Sequence, residues 1–337
     1  PDKVLILSGD HIYRMDYEAM IAAHERSGAD LTIAAMQVPW DEVHRFGVMV
    51  TGADGWITEF QEKVKGARSN LASMGIYVFS YAALVEELKA VVGTRTGFDF
   101  GQNVIPGMIG RRKLLCYPFE GYWRDVGTLK SYLDANMDCL DETSGLDLAG
   151  WQICTSPDEK GQGDRPPLRV GAGARITRAL AARGCVIEGD VEGSVLFPGV
   201  RVGAGAVVRD SVVMQDVVIG DGARVEYAIL DKEAVVGPGA VIGEGDATVC
   251  NRAFPTHLDC GITVVGKQAC LPAGIRVGKN RTGRLMKQRG LHVKTTRRFK
   301  VTTNSDHKSP VAPNLVNRKF TASASDRTRR AAMSCLT

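Results

Sequence analysis

The chain lacks long apolar runs, and it lacks cysteines at metal-binding or redox spacing. In its 337 residues, no apolar stretch approaches the roughly 20 residues that a helix needs to cross a bilayer, so no membrane partner is expected. The 8 cysteines are scattered without a Cys-x-x-Cys motif, which argues against a disulfide framework or a zinc site. We therefore expect free thiols in a reducing cytoplasm and, because strand-like residues begin at once, no signal peptide.

Acidic residues are scarce only near the end of the sequence. Residues 281–337 carry 14 Lys and Arg against 2 Asp and Glu, whereas the rest of the chain carries 28 against 36. A basic tail can bind nucleic acid, but this one has no periodicity and no interleaved aromatic residues. The composition favours a disordered or out-of-frame extension, and a nucleic-acid partner is not expected.

The first part of the chain, residues 1–145, alternates apolar strand patterns with amphipathic helix patterns. LILSGD, LTIAAMQV, FGVMV, WITEFQEK, MGIYVF and KLLCYPF indicate strands. Asp16 and Thr128 are candidate caps for helices ending near Ser27 and Leu140. The alternation predicts an α/β, Rossmann-like domain with a mostly parallel sheet, and the polar, Gly- and Pro-rich residues 146–168 predict a linker.

A repeated phrase follows in residues 169–280. Its copies are VGAGARI, VGAGAVV, IGDGARV, VGPGAVI and VGKQACL, and three of them begin 17 residues apart at positions 202, 219 and 236. Aliphatic residues recur six apart, which predicts a left-handed parallel β-helix with inward aliphatic residues, small alanines inside and glycines at the corners. Some such proteins are acyltransferases with a histidine base; His257 lies in an interrupting loop, where ordinary surface polarity is the simpler interpretation.

Two pairs of charged residues are candidates for chemistry in the α/β domain. Asp10 follows the first strand and Asp125 lies where a later strand meets a helix start, so they could hold a Mg²⁺ ion together. The alternative for each is a turn or capping role. Glu62 and Lys63 end a strand, where Glu could accept sugar hydroxyl groups and Lys could attract a phosphate. Ordinary surface charge is the alternative.

Six motifs resemble one family in their identity and order. GDHIYRMDY, HRFGVM, FQEK, LASMGIYVF, FDFGQNVIP and GYWRDVGTL are similar to ADP-glucose pyrophosphorylase, also called glucose-1-phosphate adenylyltransferase. The resemblance covers about residues 3–280, including the linker and the β-helix. It implies transfer of AMP from ATP to glucose 1-phosphate in glycogen or starch synthesis, in an allosteric homotetramer that responds to anionic sugar-phosphate effectors.

The resemblance also implies a role for individual residues. Asp10 and Asp125 would be catalytic ligands of Mg²⁺, and Lys232 would bind the anionic effector. Glucose 1-phosphate would be bound by the following residues: Gly47, Glu62, Lys63, Ser73, Tyr77, Asp99, Phe100 and Trp123.

The sequence departs from the family in two main places: a glycine-rich loop is missing, and beyond GIRVGKN the basic tail replaces the family's usual ending. No segment matches the glycine-rich GGxGxRL loop that cradles ATP phosphates, since GTRTGFDFG at residues 93–101 follows a helix. The expectation is a chain that lacks the N-terminal segment and has little activity alone. Val64 also replaces the usual proline. Two alternatives stay open: a nucleotidyltransferase for another sugar or base, and a non-catalytic regulatory or scaffolding subunit.

Overall fold

The protein is described from a computed structural model, which covers residues 2–92, 99–151, 165–243 and 260–278. Contacts group the chain into two compact units, divided between Trp123 and Arg124. No helix within these residues is long and apolar enough to cross a membrane. The predicted domain boundaries after residues 145 and 168 stay predictions. The basic tail and His257 lie outside the described residues.

Over its described residues, the first unit combines seven strands with three α-helices. Its 3₁₀ turn is Val43–Arg45, and a π-helical turn at Phe100–Val104 runs into the last helix. Strand β8, Trp123–Asp125, follows at the division between the units. The strands are β1 Lys3–Leu7, β2 His11–Tyr13, β3 Leu31–Gln37, β4 Gly47–Thr51, β5 Ile57–Glu62, β6 Leu71–Ser80 and β7 Leu114–Pro118, and the helices are α1 Tyr17–Ser27, α2 Tyr81–Val92 and α3 Ile105–Met108.

The sheet of the first unit is mixed, so the prediction of a mostly parallel sheet was wrong. Its order is β5-β4-β6-β3-β7, and β1 also pairs with β6. Among the described strand pairs of this sheet, β3–β7 alone is parallel; β6 runs antiparallel to β1, β3 and β4. The prediction failed because an apolar run indicates that both faces of a strand are buried, whatever the direction of its neighbours. Strand β6 is mostly buried, yet it is antiparallel to its neighbours.

The predicted helix starts are confirmed by capping hydrogen bonds. Asp16 accepts from the backbone N–H of Glu18 at 2.9 Å and caps α1, which ends at Gly28 in the left-handed conformation with φ 62°. Thr128 caps a fourth helix, α4 at Leu129–Asp138, by accepting from the N–H of Ser131 at 3.1 Å. Side-chain acceptors at these positions satisfy N–H groups that the helix itself leaves unpaired.

Among its described residues, the second unit contains α4 and three parallel sheets. Their strand orders are β10-β13-β16-β19-β22-β25, β11-β14-β17-β20-β23 and β24-β21-β18-β15-β12-β9. Successive strands of the chain fall in different sheets, which fits the predicted left-handed β-helix. The strands are β9 Arg169–Val170, β10 Arg175–Thr177, β11 Leu180–Ala181, β12 Val186–Ile187, β13 Asp190–Glu192, β14 Val195–Leu196, β15 Arg201–Val202, β16 Val207–Arg209, β17 Val212–Val213, β18 Val218–Ile219, β19 Arg224–Glu226, β20 Ala228–Leu230, β21 Val235–Val236, β22 Val241–Ile242, β23 Thr263–Val265, β24 Cys270–Leu271 and β25 Arg276–Val277.

The repeat residues stack as predicted. Val202 pairs with Ile219 and Ile219 with Val236, one coil above another. All three side chains are buried, and so are the small alanines of the repeat, Ala206, Ala223 and Ala240. The aliphatic columns remove apolar surface from water, which stabilises the solenoid.

The two glycines of the repeat IGDGARV are required for different reasons. Gly222 has φ +65°, a conformation that disfavours residues with a Cβ. Gly220 instead lies against the next coil, where a Cβ would come within 2.7 Å of the backbone nitrogen of Pro238. One glycine therefore turns the corner, and the other permits the coils to approach.

Helix α4 covers one outer face of the β-helix. Leu133 of α4 is buried with Val212, Ile229 and Ile262. The helix thus shields apolar side chains on the outside of the sheet that contains β17 and β20.

The corner role of Gly222 predicts a specific cost of substitution. Gly222→Ala should lower the free energy of unfolding by about 1–2 kcal/mol, because alanine resists the left-handed conformation. Urea unfolding measures this loss. The matched control is Gly173→Ala, since Gly173 has no such φ and a Cβ there would meet no atom within 4 Å. Equal losses in both variants would contradict the assignment.

Candidate active site

The carboxylate of Glu62 lies in a narrow slot between two glycines. Gly47 pairs with Glu62 across β4 and β5, and a Cβ on Gly47 would come within 2.5 Å of Glu62 Oε2. A Cβ on Gly101, in the π-helical turn, would also lie 2.5 Å from the same oxygen. Both glycines therefore admit the carboxylate where any larger residue would displace it.

Glu62 ends β5 and Lys63 follows it, and the two side chains differ greatly in exposure. The Glu62 side chain is largely buried, whereas Lys63 is mostly exposed, and Lys63 Nζ lies 3.7 Å from Glu62 Oε1. Burial raises the pKa of the Glu62 carboxyl, Lys63 opposes that rise and Asp99 adds to it. Lys63 has φ 51° and donates its backbone N–H to Phe46 O at 3.0 Å. The buried acceptor and exposed cation suit a ligand with hydroxyl and phosphate ends.

Tyr77 and Phe100 form an aromatic wall beside this carboxylate. Their ring centroids are 5.8 Å apart, and the Tyr77 hydroxyl lies 3.5 Å from Ser73 Oγ. Burial raises the pKa of Tyr77, the Ser73 hydroxyl lowers it and Glu62 raises it. The phenol therefore keeps its proton at neutral pH and can donate a hydrogen bond.

Asp99 has a local structural role. Its Oδ1 accepts from the backbone N–H of Gln102 at 2.8 Å and caps the π-helical turn. This bond holds the turn that carries Phe100 and Gly101. A carboxylate has two oxygens, so capping through Oδ1 leaves room for a second interaction.

Asp10 lies in the loop between β1 and β2. Ser8 Oγ donates to Asp10 Oδ1 at 2.8 Å, and the Asp10 side chain is 60% exposed. His11 follows it and contacts the ring of Trp123 edge to face, with centroids 5.4 Å apart. Trp123 also packs on Phe46 at 5.3 Å, and Phe46 directly precedes Gly47.

Asp125 belongs to the second unit, at the end of β8. Its Oδ1 accepts from the backbone N–H of Gly127 at 2.7 Å, so it forms the turn that precedes α4. Asp10 and Asp125 are both accessible carboxylates, the oxygen ligands that Mg²⁺ prefers. Their chemistry therefore fits the ion, and their joint role stays a prediction.

Lys232 lies in the second unit, in the turn before β21. Its backbone N–H donates to the Asp231 carboxylate at 2.7 Å, and its carbonyl oxygen accepts from the N–H of Gln268 at 2.9 Å. Asp231 and Glu233 flank it in the chain. These acidic neighbours reduce the positive potential of the turn, and its effector role stays a prediction.

The structure brings most of the predicted sugar-site residues of the first unit into two adjoining groups. Glu62 is the centre of one group, and Trp123 belongs to the other. Phe46 joins the two groups, because its ring packs on Trp123 and its carbonyl oxygen accepts from the N–H of Lys63. Three contributors were missed from the sequence: Gly101, His11 and Phe46. The motifs FDFGQ and GDH contain the first two, but a single glycine and a lone histidine carry little signal without the fold.

Known protein families match the two parts of the chain separately. Residues 1–142 match the nucleotidyl transferase family, and residues 169–265 match the GlmU-like C-terminal hexapeptide family. The chain therefore joins a nucleotidyl transferase domain, which contains the mixed sheet, to a hexapeptide domain, which contains the three parallel sheets.

Curated relatives narrow this class. A glucose-1-phosphate adenylyltransferase of Acetivibrio thermocellus is 41% identical over 284 residues, covering 83% of this chain and 65% of the relative. Those of Bacillus thuringiensis and Halalkalibacterium halodurans are 50% and 48% identical, over 64% and 62% of this chain and 57% and 54% of their own lengths. The chain is a homologue of the glucose-1-phosphate adenylyltransferases, which confirms the resemblance, and it spans less than two thirds of their length.

The raised pKa of Glu62 predicts a pH-dependent stability. Since the folded pKa lies above the unfolded value of about 4.3, ionisation destabilises the fold, and this loss grows as pH rises from the unfolded pKa through the folded one. Glu62→Gln removes the ionising group, so its unfolding free energy relative to wild type should increase with pH over that window. Urea unfolding from about pH 4.5 to about pH 8 measures it.

The control for this experiment is an exposed glutamate of the same unit. Glu120 is exposed, and Glu120→Gln should follow the wild-type pH curve within error. A Glu62→Gln curve parallel to wild type throughout would contradict the burial argument.

Proposed function

We propose that this protein transfers AMP from ATP to glucose 1-phosphate, giving ADP-glucose and pyrophosphate. The observation that supports it most is the slot holding Glu62 between Gly47 and Gly101, beside the exposed cation of Lys63. A buried acceptor next to a surface cation suits a sugar that carries a phosphate. The name shared by the relatives supplies the particular sugar and nucleotide.

The proposed residue roles follow from these positions. Glu62 accepts sugar hydroxyl groups, and Lys63 attracts the phosphate. Ser73 and Tyr77 supply neutral hydroxyl groups on the same wall. Asp99, Phe100 and Trp123 line the sugar pocket, where aromatic rings cover the apolar face of a pyranose.

The chemical step is a displacement at phosphorus. An oxygen of the glucose 1-phosphate phosphate group attacks the α-phosphorus of ATP, the bond to the β-phosphate oxygen breaks, and pyrophosphate leaves. Lys63 and the sugar-binding residues hold the attacking phosphate, which converts an encounter in solution into a positioned reaction. Asp10 and Asp125 would hold Mg²⁺, which would supply positive charge for the phosphates.

The setting of the enzyme is part of the same proposal. We infer a cytoplasmic homotetramer, the state that the resemblance to the family implies, and the parallel sheets of the hexapeptide domain would supply surfaces for association. Lys232 would contact an anionic sugar-phosphate effector. These features are not required for the transfer step itself.

Binding of glucose 1-phosphate tests the proposal directly. Calorimetry should show that Glu62→Gln weakens binding by about 10- to 150-fold, because a hydrogen bond to a charged group contributes about 1.5–3 kcal/mol. Glu120→Gln should bind like wild type. Stronger binding of galactose 1-phosphate or mannose 1-phosphate by wild type would assign the protein to another sugar.

Pyrophosphate release tests the transfer step. With ATP, Mg²⁺ and glucose 1-phosphate, wild type should release pyrophosphate faster than Glu62→Gln at limiting sugar phosphate. Because the sequence predicts little activity for this chain alone, binding of glucose 1-phosphate without any release would fit that expectation as well as a non-catalytic regulatory subunit. Release as fast as that of a complete homologue would contradict the expected low activity.

The proposed metal site predicts loss of divalent-ion binding on removal of either carboxylate. Asp10→Asn and Asp125→Asn should each weaken Mn²⁺ binding, measured by electron paramagnetic resonance, by at least about tenfold, since Mg²⁺-type sites rely on one or two carboxylates. Asp16→Asn is the matched control, because asparagine also caps helices well. Wild-type affinity in both site variants would refute the assignment.

A further inference from the structure

His11 is a nearly buried histidine that the proposed chemistry does not use. Its side chain is 11% exposed, and Nδ1 lies 2.8 Å from the backbone carbonyl oxygen of Met74. A carbonyl oxygen only accepts, so Nδ1 carries the proton and donates it. The bond fixes the orientation of the imidazole against β6, the strand that also carries Ser73 and Tyr77.

The strand is shaped to receive this ring. Gly75 has φ +66°, and a Cβ there would lie 3.0 Å from Ser8 Cβ and 3.3 Å from His11 Cε1. Ser8 N donates to Gly75 O at 3.0 Å. The β3–β6 register also shifts between Ile33 and Ala35, opposite this part of β6. Loop and strand therefore approach more closely than a side chain at position 75 would permit.

The imidazole supports the indole of Trp123. The two rings meet edge to face at an interplanar angle of 86°, a preferred aromatic arrangement. Trp123 Nε1 lies 3.4 Å from His11 Nδ1, but that nitrogen already donates to Met74, so we assign the contact to ring packing. One side chain thus orients the aromatic residue proposed for the sugar pocket.

The same imidazole borders the Asp10 carboxylate. Asp10 directly precedes His11, so the anchored ring restricts its backbone within one peptide unit. His11 Nε2 lies 3.6 Å from Asp10 Oδ1 and 3.4 Å from Ser8 Oγ, the hydroxyl that donates to that carboxylate. The ring therefore contacts both residues that determine where the carboxylate points.

We propose that His11 is a positioning residue that holds the Asp10 carboxylate and the Trp123 ring in fixed relation to β6. Divalent-ion binding and sugar binding then depend on one anchored side chain. This inference rests on the proposed function, because it assigns Asp10 to the ion and Trp123 to the sugar. A role in folding alone would lower stability without changing either affinity.

Two substitutions separate the contacts of His11. In His11→Asn the amide nitrogen lies near the position of Nδ1 and keeps the bond to Met74, but the ring edge against Trp123 is lost. Because the Met74 bond is kept while the Nε2 contacts with Asp10 and Ser8 are lost, we expect Mn²⁺ affinity to fall less than it does in His11→Gln. Glucose 1-phosphate affinity should fall by about two- to tenfold, the range of an aromatic pair. His11→Gln loses the short anchor as well, and both affinities should fall by about tenfold.

The measurements are Mn²⁺ binding by electron paramagnetic resonance and glucose 1-phosphate binding by calorimetry, each below the melting temperature of every variant. His44 is exposed, and His44→Gln should match wild type in both. If His11→Gln does not fold, His11→Asn still tests the inference, because its glucose 1-phosphate affinity should fall more than its Mn²⁺ affinity.

Two results would overturn the inference, and they are distinguishable. If wild type binds both ligands and the folded His11 variants bind them equally well, the positioning role is wrong while the proposed function stands. If wild type binds neither ligand, the proposed function fails and the positioning role fails with it.

Discussion

The burial of one carboxylate, that of Glu62, determines how the candidate site is built. It requires a glycine on β4 and another in the π-helical turn, because a Cβ at either position would come within 2.5 Å of Oε2. The turn is held in place by the Asp99 cap. The carboxylate therefore determines how closely β4, β5 and the π-helical turn approach one another. Its pKa is raised because burial disfavours the charged form.

A second close approach has the same physical basis. Gly75 lets the loop carrying Asp10 lie against β6, and His11 ties that loop to the strand through Met74. In both places backbone without a side chain allows a polar group to enter a packed region. In the β-helix, Gly220 also permits a close approach, but there it lets one coil stack on the next and admits no polar side chain.

The sequence predicted the elements that have local signals. Asp16 and Thr128 mark helix starts because capping requires particular side chains, and the hexapeptide repeat predicts its own stacking through period and residue size. Strand direction in the first sheet was mispredicted, because apolar runs report burial and not direction. Gly101 and His11 were missed, since their roles arise from contacts with Glu62 and Met74 that no spacing in the chain reveals.

A crystal structure of the protein with glucose 1-phosphate bound would show whether the buried carboxylate serves the sugar. We expect a sugar hydroxyl within hydrogen-bond distance of the Glu62 carboxylate, in the slot between Gly47 and Gly101, with Lys63 Nζ directed to the phosphate. Glucose 1-phosphate bound elsewhere, with Glu62 contacting no part of it, would contradict the proposed role of the slot.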